Sequence, residues 1–264
     1  MTSMPDVRFS IVIPTYNAGQ FIEKAVRSVL DQGIDDIEIL VVDNGSTDNT
    51  VAIVRSFNDP RITIFDIDNQ GVIAKSRNKG MAHAVGDWIC FLDADDYWEQ
   101  GKLDAVAALP DNADIFCHGE YWRVGDSVVK QKTYGPASRS GFESLLFTGN
   151  CFSTSAMAVR RHLVERTDGF CEAPISIGAE DYHFWMTLAR LSPQCVFDDR
   201  MLGNYLIHPG GQSKVYLRQL KAELWVVGDH FRQIDRPNLR TRLRYGQRVA
   251  MITIKATLRF VLGR

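Results

Sequence analysis

Long apolar runs are missing from this 264-residue sequence. None approaches the ~18 consecutive apolar residues of a membrane-spanning helix, so no transmembrane segment is expected. The opening MTSMPDVRFSIVIP has no basic segment leading into an apolar core, so no secretion signal is expected either. Cysteine is sparse. Cys90, Cys117, Cys151, Cys171 and Cys195 lack C-x-x-C spacing and lie mostly among apolar residues, which reads as reduced small hydrophobes rather than metal ligands and fits a cytoplasmic protein. Excess charge is also lacking: 30 Lys and Arg against 32 Asp and Glu leave a net charge of −2. Nothing therefore drives the whole chain toward nucleic acid, and an anionic partner must be met by a local patch. Internal repeats, low-complexity segments and an obvious interdomain linker are absent as well.

What is present is an apolar content of 45%, enough for the core of one large α/β domain or two small ones. Phe9–Pro14 reads as a buried strand, Thr15–Gly19 as a turn, and Phe21, Ile22, Ala25, Val26, Val29 and Leu30 follow at helical spacing. The unit repeats: Ile37–Val42 is a strand, Asp43–Ser46 a loop, and Thr47 or Asp48 can cap a helix carrying Val51, Ile53, Val54 and Phe57. Strands at Ile62–Phe65 and Trp88–Leu92 enclose a helix around Ile73–Ala84. This alternation predicts a mostly parallel sheet with ligands at the carboxyl ends of its strands. After Pro110 it breaks down into short strands at Ile115–His118, Val128–Lys132 and Ser155–Val159, a hairpin turn at Gly125–Asp126, and helices at Phe142–Phe147 and Asp181–Leu191.

The stretch CFLDADDYW (Cys90–Trp98) ends a buried strand with three carboxylates, a crowding that calls for an offsetting positive charge. On an extended backbone Asp93 and Asp95 share one side, spaced to hold a hard cation such as Mg²⁺ or Mn²⁺. The alternative is structural: Asp95 or Asp96 capping a helix that starts near Trp98. Capping equally explains Glu180 and Asp181, acids at the start of a helix.

Four segments in series resemble family 2 glycosyltransferases of the GT-A fold: SIVIPTYN (Ser10–Asn17), VVDNGSTDNT (Val41–Thr50), NQG…AKSRNKG (Asn69–Gly80) and GDWICFLDADD (Gly86–Asp96). The likeness runs over roughly residues 8–210. It implies an α/β chain with a Rossmann-like, mostly parallel nucleotide-binding sheet, a mixed acceptor-side half and C-terminal helices. Residues 1–235 would form the transferase domain, with 8–110 the nucleotide-sugar half and 111–212 the acceptor half. The resemblance also implies an inverting, metal-dependent transfer of a single sugar from a UDP- or dTDP-sugar to an acceptor hydroxyl in cell-surface glycan synthesis. The acceptor would be a glycan or lipid-linked precursor.

On this likeness Pro14, Thr15, Tyr16 and Asn44 line the nucleotide, Asp43 recognises the base through a ring N–H, and Arg77 abuts the nucleotide or pairs with Asp93 or Asp43. Asp93 and Ala94 lie by the ribose or donor sugar, and Asp95 holds Mn²⁺ or Mg²⁺. Asp181 matches the general base, with Glu180 as alternative base or positioning residue, and the helix N-terminus should keep Asp181 ionised. His208, in YLIHPGGQS (Tyr205–Ser213), resembles a residue that closes over the diphosphate and ligates the metal, or it is a turn residue before Pro209. The sequence lacks the Q-x-x-R-W segment and membrane helices of processive synthases, so one transfer per encounter is expected. Two other readings stay open: a nucleotidyltransferase, although PTYNAG lacks a basic phosphate loop, and a non-catalytic nucleotide-sugar binder.

From Arg236 to Arg264 the sequence carries Arg236, Arg240, Arg242, Arg244, Arg248, Lys255, Arg259 and Arg264 and no acid. Leu239, Leu243, Tyr245, Val249, Ile252, Leu258 and Leu262 are interleaved at helical spacing. Residues 236–264 thus read as a basic amphipathic helix. It lies either on the inner face of an anionic membrane or on the protein's own core with its basic face in water.

Overall fold

The computed structural model describes residues 7–208 and 216–262, with side chains for 7–208 and 217–255. The first half alternates as expected: β1 (Phe9–Thr15), α1 (Ile22–Leu30), β2 (Ile37–Asp43), α2 (Thr50–Ser56), β3 (Ile62–Asp66), α3 (Ile73–His83) and β4 (Trp88–Phe91). The strands pair in parallel in the order β3-β2-β1-β4. The chain thus winds outward from β1 to β3 and returns through α3 to β4 on the other side of β1. That reversal opens a crevice at the carboxyl ends of β1 and β4.

Period-two alternation splits the core into two layers. Val12, Leu40, Ile89 and Phe91 face one cluster with Ala74 and Met81 of α3. Phe9, Ile11, Ile13, Ile39, Val41 and Cys90 face the other, against Ile22, Val26 and Val29 of α1. Both faces are covered, so β1 and β4 are buried throughout.

The second half continues the same sheet. It comprises β5 (Tyr97–Trp98), α4 (Lys102–Ala107), β6 (Ile115–Val124), β7 (Ser127–Lys132), α5 (Phe142–Thr148), β8 (Met157–Arg160), α6 (Arg161–Val164), α7 (Glu180–Ala189), β9 (Cys195–Leu206), α8 (Tyr216–Arg232) and α9 (Leu239–Leu262). Antiparallel β8 joins β4 to β6, β9 runs parallel to β6, and β7 forms the expected hairpin on β6. The sheet is therefore parallel in its first half and mixed in its second. All five cysteines are free thiols.

Several expectations differ. No helix starts near Trp98: Tyr97 and Trp98 form β5, paired with Asn204 and Gly203 of β9, and α4 begins only after Gly101, whose φ of 88° suits glycine. Asp95 and Asp96 are therefore not its caps. Nor does Asp93-Ala94-Asp95 continue the strand, because the Asp96 N–H donates to the Asp93 carbonyl at 3.0 Å and closes a turn. β9 carries no local strand signal, since Asp198-Asp199-Arg200 interrupts its apolar pattern, whereas α8 and α9 are the C-terminal helices that the resemblance implies. The expected strand at Ser155–Val159 is shorter and shifted, Met157–Arg160. Pro209–Ser213 of the predicted closing segment lies outside the described residues.

Candidate active site

Three loops at the crevice are stitched together by polar side chains. After β1, the Asn17 N–H donates to Ser46 Oγ at 2.9 Å, while Asn17 Oδ1 accepts the Thr47 N–H at 2.8 Å. The Gly19 N–H donates to Asp48 Oδ2, and a Cβ at Gly19 would lie 2.0 Å from Asn49 Oδ1, so a larger residue there would displace the Asn49 side chain. After β2, Asn44 Oδ1 accepts the Asn69 N–H at 2.7 Å and Asn69 Nδ2 donates to Ser76 of α3 at 2.8 Å. Loops that would otherwise be mobile become a preorganised wall.

A cleft of about 840 Å³ opens between this wall and the second half of the sheet. Pro14, Thr15, Tyr16, Asn44, Arg77, Asp93, Ala94, Asp95, Glu180, Asp181 and His208 all line it, so residues spread over nearly 200 positions meet in one place. Asp43 is the exception. Its carboxylate is buried and accepts both the backbone N–H and the hydroxyl of Ser46, and it does not line the cleft. That carboxylate closes the turn from Asp43 to Ser46. Thr15 Oγ1, by contrast, is buried at the cleft without a hydrogen-bond partner among the described residues.

Arg77, 3% exposed, organises the acids. Its Nη2 meets Asp93 Oδ1 at 2.7 Å and its Nη1 meets Glu180 Oε1 at 2.9 Å, while Phe170 packs beside the guanidinium. Burial works against its charge, but Asp93 and Glu180 outweigh that and keep it protonated. Of the two partners foreseen for Arg77, Asp93 pairs with it and Asp43 does not. Glu180 Oε2 accepts the Gly178 N–H at 2.7 Å, so both of its oxygens are engaged.

Asp181, the next residue of α7, is held more loosely. Its Oδ2 accepts from Thr154 at 3.5 Å and its Oδ1 from the Tyr182 N–H. Burial, then the charge of Glu180, pushes its carboxyl up to about 6 against the pull of Arg77. The helix N-terminus therefore does not dominate here as expected: removal from water and a neighbouring like charge outweigh it.

Across the cleft Asp95 Oδ2 lies 2.8 Å from His208 Nε2, and Phe21 packs on the imidazole. Burial and the charge of Asp93 raise the Asp95 carboxyl, while the hydrogen bond to His208 lowers it. No cluster of three or more His, Cys, Asp or Glu suited to a metal occurs among the described residues. One carboxylate and one imidazole fit Mn²⁺ or Mg²⁺, which complete their shells with water and phosphate oxygens, better than they fit Zn²⁺ in a closed protein cage.

The far wall was missed. Trp122 and Lys132 of the β6–β7 hairpin, Tyr134 beyond it and Gln219 of α8 also line the cleft. Glu120 pairs in register with Lys132 and Trp122 with Lys130, an alternation of acid, aromatic and lysine that could have marked this face. Tyr134 donates its hydroxyl to buried Glu120.

The family model described as Glycosyl transferase family 2 matches residues 10–168. An uncharacterized glycosyltransferase of Nostoc sp. is 33% identical over 171 residues, 61% of this chain and 53% of that protein, so the chain spans about half the length of that relative. The UDP-Glc:alpha-D-GlcNAc-diphosphoundecaprenol beta-1,3-glucosyltransferase WfgD of Escherichia coli is 28% identical over 235 residues, 86% of this chain and 87% of that protein. Among solved structures, S. aureus TarS 1-349 in complex with UDP-GlcNAc has a TM-score of 0.72 at 22% identity, covering 91% of this chain and 71% of that one. The mannosyltransferase PcManGT from Pyrobaculum calidifontis, in complex with GDP-Man and Mn²⁺, has a TM-score of 0.66 at 20% identity, covering 91% and 68%. At those identities the shared property is the fold. The family match sets aside the nucleotidyltransferase. The chain belongs to glycosyl transferase family 2 and is a glycosyltransferase with the GT-A fold.

Proposed function

We propose that this enzyme moves one sugar from a nucleoside diphosphate sugar to a hydroxyl of a lipid-linked glycan precursor, with inversion at the anomeric carbon. The name of WfgD makes UDP-glucose the first donor to test and a diphosphate-linked lipid the first acceptor, and TarS with bound UDP-GlcNAc supports a UDP-sugar. The nucleoside lies along Pro14, Thr15, Tyr16 and Asn44, where the unpartnered Thr15 hydroxyl awaits a ligand oxygen. Asp43 stands behind them, its carboxylate retaining lone pairs beyond those used by Ser46 for a uracil or thymine ring N–H. Asp93 and Ala94 border the donor sugar.

Asp95 and His208 would hold Mn²⁺ or Mg²⁺, a reading supported by the donor set and by the Mn²⁺ in PcManGT. Such an ion, when bound, stabilises the negative charge that develops on the departing nucleoside diphosphate.

Asp181 carries the reading. It lines the cleft with a carboxyl near 6, so at neutral pH it is ionised yet basic enough to take a proton. The acceptor oxygen attacks the anomeric carbon as the sugar–phosphate bond breaks. The hydroxyl proton passes to Asp181, and the bonding electrons leave with the diphosphate. Glu180, both oxygens engaged, positions Arg77 and the start of α7 instead of acting as base.

The test is a mass-spectrometric screen of nucleotide sugars with and without Mn²⁺, using wild type and Asp181→Asn. The variant is expected to bind donor as wild type does and to give no transfer. Normal turnover by Asp181→Asn would remove the assigned base, and cation-independent transfer would remove the metal.

A further inference from the structure

Helix α9 meets one of the two readings of the basic C-terminal segment on one face and leaves the opposite face uncovered among the described residues. One face docks on the protein: Tyr245 stacks on Phe231 of α8 with ring centroids 4.0 Å apart, Arg248 pairs with Glu223, and Ile252 is 3% exposed. The opposite face is apolar and open to water. Leu239, Leu243 and Ile254 are 74%, 60% and 58% exposed, and at ~100° per residue they fall within an arc of about 60°, with Met251 about 60° beyond it. A stripe of large apolar side chains along one helix face is the kind of exposure that marks an interaction surface.

The charges around this stripe identify its partner. Arg244 and Arg248 are engaged with Glu143 and Glu223, but Arg240, Arg242 and Lys255 make no ion pair among the described residues. No acid occurs from residue 236 to 264. A second copy of the chain would bring these cations against one another across a two-fold axis, an unfavourable pairing. An anionic lipid surface offers what the face lacks: a place for the apolar stripe and phosphates for the cations.

The direction of α9 fits that placement. Phe231 meets Tyr245 and Glu223 meets Arg248, so the helix runs antiparallel to α8, back toward the α8 start. There Gln219 lines the active-site cleft and Leu217 is 61% exposed.

We infer that the outer face of α9 docks this enzyme on an anionic membrane surface, with Leu239, Leu243, Met251 and Ile254 in the interfacial plane and Arg240, Arg242 and Lys255 at headgroup phosphates. This inference stands apart from the donor and base assignments.

Co-sedimentation of the full chain with lipid vesicles tests it. Wild type is expected to bind equimolar phosphatidylcholine–phosphatidylglycerol vesicles, to leave phosphatidylcholine vesicles unbound, and to dissociate at high salt. Leu243→Glu with Ile254→Glu, both solvent-exposed and so compatible with folding, should lower the partition by about tenfold or more, as should Arg240→Glu with Lys255→Glu. Unchanged thermal unfolding and donor binding would show that each variant is folded. Absence of binding to the mixed vesicles, equal binding to neutral ones, or undiminished binding by the variants would each overturn the inference. So would a wild-type dimer that the leucine and isoleucine substitutions dissociate in the absence of any vesicle binding.

Discussion

The buried carboxylate of Asp96 accepts the Leu206 backbone N–H at 2.9 Å, tying the turn after β4 to the end of β9. Its other oxygen accepts the Ser155 hydroxyl at 2.6 Å, and Ser155 Oγ in turn accepts the Asp93 N–H at 3.1 Å. Two residues beyond Leu206, His208 reaches Asp95. Asp96 thus acts as a brace for the residues on either side of it.

Asp96→Ala removes two acceptors from buried donors, at about 1–3 kcal/mol for each group left unsatisfied. A lower thermal midpoint and a higher Mn²⁺ requirement for transfer are expected, with Asp96→Asn milder because it keeps one carbonyl oxygen. Unfolding and Mn²⁺ titrations like those of wild type would show that the brace is dispensable.

With Asp181 as the proposed base, its raised carboxyl predicts the pH response of transfer. Below about 6 it is protonated and cannot accept a proton, while above it the base is available. The turnover number should rise through that value to a plateau and fall by about tenfold per pH unit on the acid side. Asp181→Asn, expected to give no transfer, should show no acid limb at any pH. A wild-type profile lacking the limb would exclude Asp181 as the group that titrates.

Arg77→Ala leaves the buried Glu180 and the partly exposed Asp93 without the cation they share. Breaking such an arrangement costs about 3–5 kcal/mol, measurable by denaturant unfolding. Arg77→Lys restores charge but not the fork that reaches both carboxylates, so an intermediate loss is expected. Equal stabilities for the lysine variant and wild type would show that one of the two contacts is immaterial.

Gly80 lies on the face of α3 that packs against β1, where an added Cβ would sit 2.4 Å from Val12 Cγ1. Alanine is the better helix former by about 1 kcal/mol. Overpacking at a buried contact costs about 1–3 kcal/mol, so Gly80→Ala is expected to destabilise on balance. A raised melting temperature would mean that α3 can shift away from the sheet at little cost.

The first half of the fold was legible because its signals are local. Strands such as Phe9–Pro14 are buried on both faces and read as continuous apolar runs, and α1 repeats its apolar residues with helical spacing. The second half was harder. β5 is two residues long and exists through its partner β9, whose centre is polar, so neither carries a local pattern.

The sequence by itself determined the alternating α/β half, the acids after β4 and before α7, and the basic character of the C-terminal helix, because each is written in adjacent or periodically spaced residues. Only the tertiary structure decided how the acids divide their work. Arg77 engages Asp93 and Glu180, Ser155 and the end of β9 occupy the Asp96 carboxylate, and Asp95 and Asp181 line the cleft outside both arrangements. It likewise decided that Asp43 turns into its own loop and that α9 buries one face and leaves the other bare. Hydrogen-bond partners, burial and neighbouring charge arise between residues far apart in the chain, and those are the quantities that separate a proton acceptor from a brace.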